Sequence, residues 1–487
     1  MLKLPESKLY IDGVSRRAAG DKTYDIIGPW TGEVVSKAAD ASREDVEAAI
    51  VAARRAFDTT DWSSNHAYRL ELTKKFRDLL VAKRDRLIAI ARHEHGAPLG
   101  AMGPQVDLAI TGLSDYINIF PSIKWEEDRG VRETYGFPTH RIVVYEAAGV
   151  VAAITPWNVP LYVNLGKLGA AFLAGCTVIL KGAPNTPSMN YILGEIAQEA
   201  GFPAGVLNVI TASDPATAGE MLVTDPRVDL ISFTGSTAIG RHIMEKGGPT
   251  LKRLFLELGG KSCWIVLEDT PHFAAMCGRS MVINHAGQGC AITTRLLVPK
   301  SRYEEAVGAL KNAYAELGDK WGGFDEPSHQ MGPVVSKKQL ERVLSYIEIG
   351  KKEGARLLAG GRARPDKGSG FFVEPTCFVD VTNDMRIAQE EIFGPVLSVI
   401  AFENDEDAIR IANDSIYGLS GLVFSGDTDR ALRMARRIRT GTIGVNGGMC
   451  ITGDLPFGGF KHSGIGREWG REGIEELRET KVIGIRR

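Results

Sequence analysis

From Gly149 onward the chain alternates short, β-branched apolar runs with helical stretches, and no other feature constrains its fold as strongly. The runs 150–154, 177–180, 206–210 and 230–233 are separated by helical segments near 161–174, 188–200, 216–223 and 238–246. Strands that are apolar at successive positions are covered on both faces, as in a parallel sheet flanked by crossover helices. The pattern predicts a doubly wound, nucleotide-binding α/β layout. A second α/β stretch runs from Leu258 to about Val445, with helices over 303–317 and 337–353. No Pro/Gly/Ser linker separates the two, so their boundary must be packed. The first 120 residues read as strand-poor and helical, with an N-cap at Ser42 and one amphipathic segment over 68–92. His93, Glu94 and His95 at its end read as solvated, because no further ligands stand at metal-binding spacing.

Bulk properties exclude several classes. At 487 residues, two or three domains are expected. A net charge of −2, with Lys and Arg spread along the chain, leaves no footprint for nucleic acid or an anionic membrane. No run approaches the roughly 18 apolar residues of a membrane span, and Met1–Glu6 does not resemble a secretory signal. Six cysteines lie far apart with no C-x-x-C pair, and five read as reduced, mostly buried thiols in a cytoplasmic protein.

Four local signals carry chemistry. Thr155-Pro156-Trp157-Asn158 follows a strand, where open α/β sheets bind ligands. The Asn158 amide could donate to an oxyanion there, or Asn158 could simply occupy a Pro-bounded turn. Phe233-Thr234-Gly235-Ser236 ends a strand and opens a helix, and the free N–H groups suit a pyrophosphate, although no G-x-G-x-x-G is present. Glu257-Leu258-Gly259-Gly260-Lys261 sets a carboxylate beside closely approaching backbone, as a general base requires, or is a surface turn. Gly287-Gln288-Gly289-Cys290 surrounds a thiol with small residues that leave it open to attack a substrate.

These motifs, with Glu391-Ile392-Phe393-Gly394-Pro395 and Pro456-Phe457-Gly458-Gly459-Phe460-Lys461-His462-Ser463-Gly464, occur in the order and spacing of the aldehyde dehydrogenase superfamily, which the chain resembles over roughly residues 8 to 480. The resemblance implies a Rossmann-like cofactor domain (1–123, 148–256, with a return at 447–469), an α/β catalytic domain (257–446) and a small β oligomerisation element (124–147, 470–487). It implies Cys290 as nucleophile, Glu257 as the base for the deacylating water, and Asn158 with the Cys290 N–H as the oxyanion site. On the cofactor side it implies Lys181 at the adenosine ribose, Gly235 and Ser236 at the pyrophosphate, and Glu391 with Phe393 at the nicotinamide ribose. Ile154, Thr155, Pro156, Trp157 and Leu258, from the same motifs, are assigned to that side too. The expected activity is aldehyde oxidation to the acid with NAD or NADP, without metal, in a homodimer or homotetramer. Alternatives are a CoA-acylating member, a non-catalytic oligomer of the same fold, and a cofactor-free cysteine hydrolase. Two departures stand out. Lys181-Gly182-Ala183-Pro184 lacks the family's ribose-binding glutamate, which predicts that NADP is accepted, and Asn284-His285-Ala286 replaces its usual aromatic and Asn-Gln residues. Val159, Tyr162, Val163 and Gly166 share a helical face that the small residues should leave roomy for a branched, long or aromatic aldehyde.

Overall fold

The computed structural model describes residues 4–487; the first three residues of the stretch read as unlike a secretory signal lie outside it. An eight-stranded sheet forms the first unit. Its order is Gly464–Ile465, Arg253–Glu257, Leu230–Thr234, Val150–Ile154, Thr177–Lys181, Leu207–Ile210, Leu9–Ile11 and Val14–Arg16. The five central strands are parallel, and Val150–Ile154, Thr177–Lys181 and Leu230–Thr234 are buried at every position. The apolar runs thus sit where helices cover both faces.

The second sheet has seven strands, with Ser262–Val266 between Thr293–Pro299 and Gly421–Phe424. A third, antiparallel sheet pairs Phe137–Ala147 with Glu126–Thr134 on one side and Arg478–Arg486 on the other. Its outer strands are almost wholly exposed, Val482 and Ile485 included. Helix Gly470–Glu475 instead packs against helices Leu99–Ile119 and Pro160–Ala174, so the chain joins the small sheet only from Arg478.

Several expectations are corrected. The stretch read as strand-poor and helical is mainly helical, and it also holds four short strands, Leu9–Ile11, Val14–Arg16, Thr23–Ile27 and Val34–Ala39. Two are three residues long, too short for an alternation to register. The segment 68–92 is two helices, His66–Ala82 and Arg84–Glu94, broken where Lys83 leaves helical backbone. His93, Glu94 and His95 are buried rather than solvated. Glu94 accepts from the N–H groups of Ser188 and Met189, at 2.8 and 3.2 Å, and so satisfies free donors in the first turn of helix Pro187–Ala200. Four of the five cysteines read as inert are buried, but Cys450 is half-buried. No helix of the described residues is long and apolar enough to cross a membrane.

The entry to the central strand depends on Gly149, at φ +129°, where an added Cβ would lie 1.9 Å from the Asp229 carboxylate. That carboxylate accepts from the Val150 N–H at 2.7 Å and from Arg54 at 2.9 Å. Gly149→Ala is therefore expected to cost about 2–4 kcal/mol, through backbone strain and the displaced carboxylate. A wild-type urea midpoint for this variant would contradict the account.

Candidate active site

Strand order places the site. From Val150–Ile154 the chain adds Thr177–Lys181 and Leu207–Ile210 on one side, then returns to lay Leu230–Thr234 and Arg253–Glu257 on the other. A crevice opens beyond the carboxyl ends where the winding reverses, between Ile154 and Thr234. Thr155–Asn158 leaves one strand there and leads into helix Pro160–Ala174, which starts on a proline that needs no N–H partner. Ser236 leaves the other and caps helix Thr237–Gly247 by accepting from the Ile239 N–H. Glu257 ends the next strand.

Between Glu257 and Ser262 the chain crosses from the first sheet to the second, and the two glycines make the crossing possible. A Cβ on Gly259 would stand 2.6 Å from a Glu391 carboxylate oxygen, and one on Gly260 would stand 2.3 Å from the Cys290 carbonyl. The Gly260 N–H donates to Glu391 Oε1 at 2.9 Å. Ser463 fixes the crossing from outside: its carbonyl accepts from the Leu258 N–H, and its hydroxyl donates to the Gly259 carbonyl at 2.6 Å.

Two cavities meet at Cys290. One, of about 500 Å³, is lined by Trp157, Gly235, Ser236, Leu258, Glu391 and Phe393, with Pro156 at its edge. The other, of about 310 Å³, is lined by Val159, Tyr162, Val163, Ile292, Ile451 and Phe457 among others. Asn158, Val159, Val163, Thr234, Glu257 and Cys290 border both. The Asn158 amide is buried and donates one hydrogen to the Gln288 carbonyl at 3.0 Å, leaving the second free. The Cys290 thiol and the Glu257 carboxyl are close neighbours, and Glu257 Oε1 is buried without a hydrogen-bond partner. Burial pushes Glu257 up to about 8, against the pull of that thiol and of Lys167. Burial and the neighbouring Glu257 push the Cys290 thiol well above its ordinary value. Near neutral pH the pair therefore holds both its protons.

The cofactor-side residues divide. Ile154, Thr155 and Lys181 are not among the residues that line the large cavity; the Thr155 N–H donates to the Lys181 carbonyl at 3.1 Å. Lys181 is buried, lowered to about 8 by burial and supported only by the more distant charge of Asp214. Burial raises Glu391 to about 7 against its bond from Gly260. Phe393 meets Trp157 edge to face at 5.4 Å.

Sequence reasoning missed three features. Arg342 and Gln339 donate to the carbonyls of Glu391, Ile392 and Phe393 and hold that segment in place. Buried Lys167 pairs with buried Glu468 at 3.1 Å, near Glu257. A lysine inside an otherwise apolar helix was the available signal, since such a charge needs a partner. Gly166 is not open space: an added Cβ would lie 3.0 Å from the Trp469 indole, which fills that end of the face. Room comes from Val159 and Val163 alone.

The model of the aldehyde dehydrogenase family matches residues 16–483. The chain belongs to the aldehyde dehydrogenase family. A Staphylococcus epidermidis protein, provisionally named an aldehyde dehydrogenase, is 41% identical over 480 residues, 98% of each chain. An NAD-dependent aldehyde dehydrogenase from Sinorhizobium meliloti is 36% identical and superposes with a TM-score of 0.93 over 100% of this chain and 95% of its own. Betaine aldehyde dehydrogenase from Staphylococcus aureus, solved with NAD+, is 34% identical, with a TM-score of 0.94 over 99% and 95%. Another structure of that enzyme carries a BME-modified cysteine. The mixed α/β fold expected from the sequence is thus that of this NAD(P)-dependent enzyme family.

Of the six cysteines, only Cys290 and Cys450 are partly exposed as residues, the Cys290 sulfur itself being largely shielded from bulk water. Maleimide labelling of the native dehydrogenase at pH 8, mapped by peptide mass, is expected to reach these two before the rest. Earlier labelling of Cys176 or Cys377 would show the packing to be wrong.

Proposed function

We propose that this dehydrogenase oxidises an aldehyde to its carboxylic acid through a thioester on Cys290, with reduction of NAD(P)+. The convergence of the Cys290 thiol, the Glu257 carboxyl and the free Asn158 N–H where two cavities meet carries this reading.

The large cavity suits a dinucleotide. Its helix N-terminus at Ser236–Ala238 offers N–H donors to a pyrophosphate, and the Glu391 carboxylate stands where it can accept from ribose hydroxyls. Lys181, a buried ammonium with no direct carboxylate partner among the described residues, serves the adenosine end. When bound, NAD(P)+ supplies the acceptor for the two electrons and the hydrogen that leave the substrate carbon.

The chain's own residues do the remainder. The Cys290 thiol loses its proton to solvent, and the thiolate sulfur adds to the aldehyde carbon. The carbonyl oxygen, now an oxyanion, accepts from Asn158 Nδ2 and the Cys290 N–H, worth roughly 10²–10³ in rate for one such donor. After oxidation the carbon is held as a thioester. Glu257 in its ionised form takes a proton from a water that attacks the thioester, and the acid leaves as the sulfur regains that proton. A base beside the sulfur favours hydrolysis over transfer to a thiol such as CoA.

We assign the eight-stranded unit to the cofactor, the seven-stranded unit to catalysis, and the three-stranded sheet to joining subunits in a dimer or dimer of dimers. The exposed edge strands of that sheet support the last assignment, because such edges are normally paired or covered.

Cys290→Ala is expected to abolish NAD(P)H formation while retaining cofactor binding; turnover above about a tenth of wild type would defeat the covalent route. Glu257→Gln should give a burst of NAD(P)H followed by slow turnover. A carboxyl raised by burial is protonated below its pKa and cannot act as a base. Wild-type turnover should therefore climb with pH and level off above about 8, a rise absent in the variant. Matching pH profiles for the two proteins would assign the water to another group.

Cofactor choice turns on Pro184, which offers the ribose no acceptor and a 2′-phosphate no repulsion. NADP is expected to be used at a rate comparable to NAD. Pro184→Glu should raise the NAD/NADP ratio of kcat/KM by about tenfold or more. A wild-type preference for NAD beyond about a thousandfold would place the discrimination elsewhere.

A further inference from the structure

We infer that the aldehyde taken by this site is uncharged, with an apolar body of about eight to ten heavy atoms, and that aldehydes carrying a permanent charge of either sign are poor substrates. The inference rests on the proposed reaction at Cys290 and concerns the 310 Å³ cavity on the substrate side of the sulfur.

Size comes first. At about 30 Å³ per water-sized group, the cavity holds roughly ten such groups. It is not closed by the helix after Asn158, because Val159 and Val163 are small, but Trp469 stops it from deepening past Gly166.

The walls present carbon. Leu108, Val159, Val163, Ile292, Ile451 and Phe457 line it with apolar side chains, and the polar Gln105, Thr234 and Gln288 that join them are uncharged. Tyr162 also lines the cavity, its ring 4.7 Å from the Trp469 indole and its hydroxyl buried without a hydrogen-bond partner. His285 holds its ring against His95, at 5.2 Å between centroids, with Nε2 buried. Asn284 is exposed, so its polarity lies where the cavity meets solvent.

Charge decides the class. No lysine or arginine lines the cavity, so an anionic tail would be buried without a partner. Its two carboxyl groups cannot serve a cation. Glu468 is already neutralised by Lys167 at 3.1 Å, and Glu257, raised to about 8, is largely protonated near neutral pH. Two aromatic rings alone, Tyr162 and Phe457, are a weak substitute for a quaternary ammonium. The betaine aldehyde named for the Staphylococcus aureus relative carries such a cation.

The test compares kcat/KM, at saturating cofactor, for acetaldehyde, hexanal, octanal, 3-phenylpropanal, succinic semialdehyde and betaine aldehyde. Values are expected to rise roughly three- to fourfold per methylene up to about octanal. Both charged aldehydes should fall at least about tenfold below octanal. Leu108→Glu should raise the value for betaine aldehyde and lower that for octanal. A flat or falling aliphatic series, or a charged aldehyde within tenfold of octanal, would overturn the inference. Calorimetric titration of Cys290→Ala separates this from failure of the chemistry. Octanal binding at least tenfold tighter than betaine aldehyde supports the cavity reading even if wild type oxidises no aldehyde, and the reverse preference defeats it even if turnover is normal.

Discussion

The structure depends on one close approach: the backbone of Gly259 and Gly260 passing between the Glu391 carboxylate and the Cys290 carbonyl. Four residues separate the end of a strand in one sheet from the start of a strand in the other. That short crossing aims the carboxyl ends of the first sheet at the amino ends of the second. Glu257 ends the strand before it, Cys290 precedes the neighbouring strand Thr293–Pro299, and Glu391 is bonded to the crossing itself. Any side chain at either glycine would push one of these groups out of line.

Burial then sets the chemistry. Glu257, Glu391 and Cys290 are all shifted toward their neutral forms, and in each the loss of solvent is the leading cause. Under the proposed reaction, a site with little net charge at rest admits an uncharged aldehyde without displacing a tightly held water shell and develops charge only as the sulfur attacks. The Lys167–Glu468 pair supplies opposite charges nearby that cancel. Their removal one at a time would leave an uncompensated buried ion.

Much of this was legible in the sequence. Val150–Ile154 and its neighbours announced a covered parallel sheet because every position was apolar, and the order of the motifs from Asn158 to Phe393 identified the family. The motifs did not disclose why Gly259 and Gly260 are glycines, since the atoms they would strike belong to residues 391 and 290. Burial of Glu94 was hidden because its partners, Ser188 and Met189, lie more than ninety positions away. Trp469, closing over Gly166, is likewise a contact across three hundred residues that no helical face reveals. Local pattern speaks for local elements, whereas a polar or small residue takes its meaning from whatever the fold brings against it.

The two cavities share Asn158, Val159, Val163, Thr234, Glu257 and Cys290, but under the proposed reaction the rest of the aldehyde wall and the rest of the dinucleotide wall come from separate stretches of chain. Leu108, Ile292 and Ile451 belong to the aldehyde wall alone, and Ser236, Glu391 and Phe393 to the other. Selection can therefore redecorate the first without renegotiating the second. A lineage built this way can inherit one unchanging reaction and spread across many substrates by altering a handful of mouth residues.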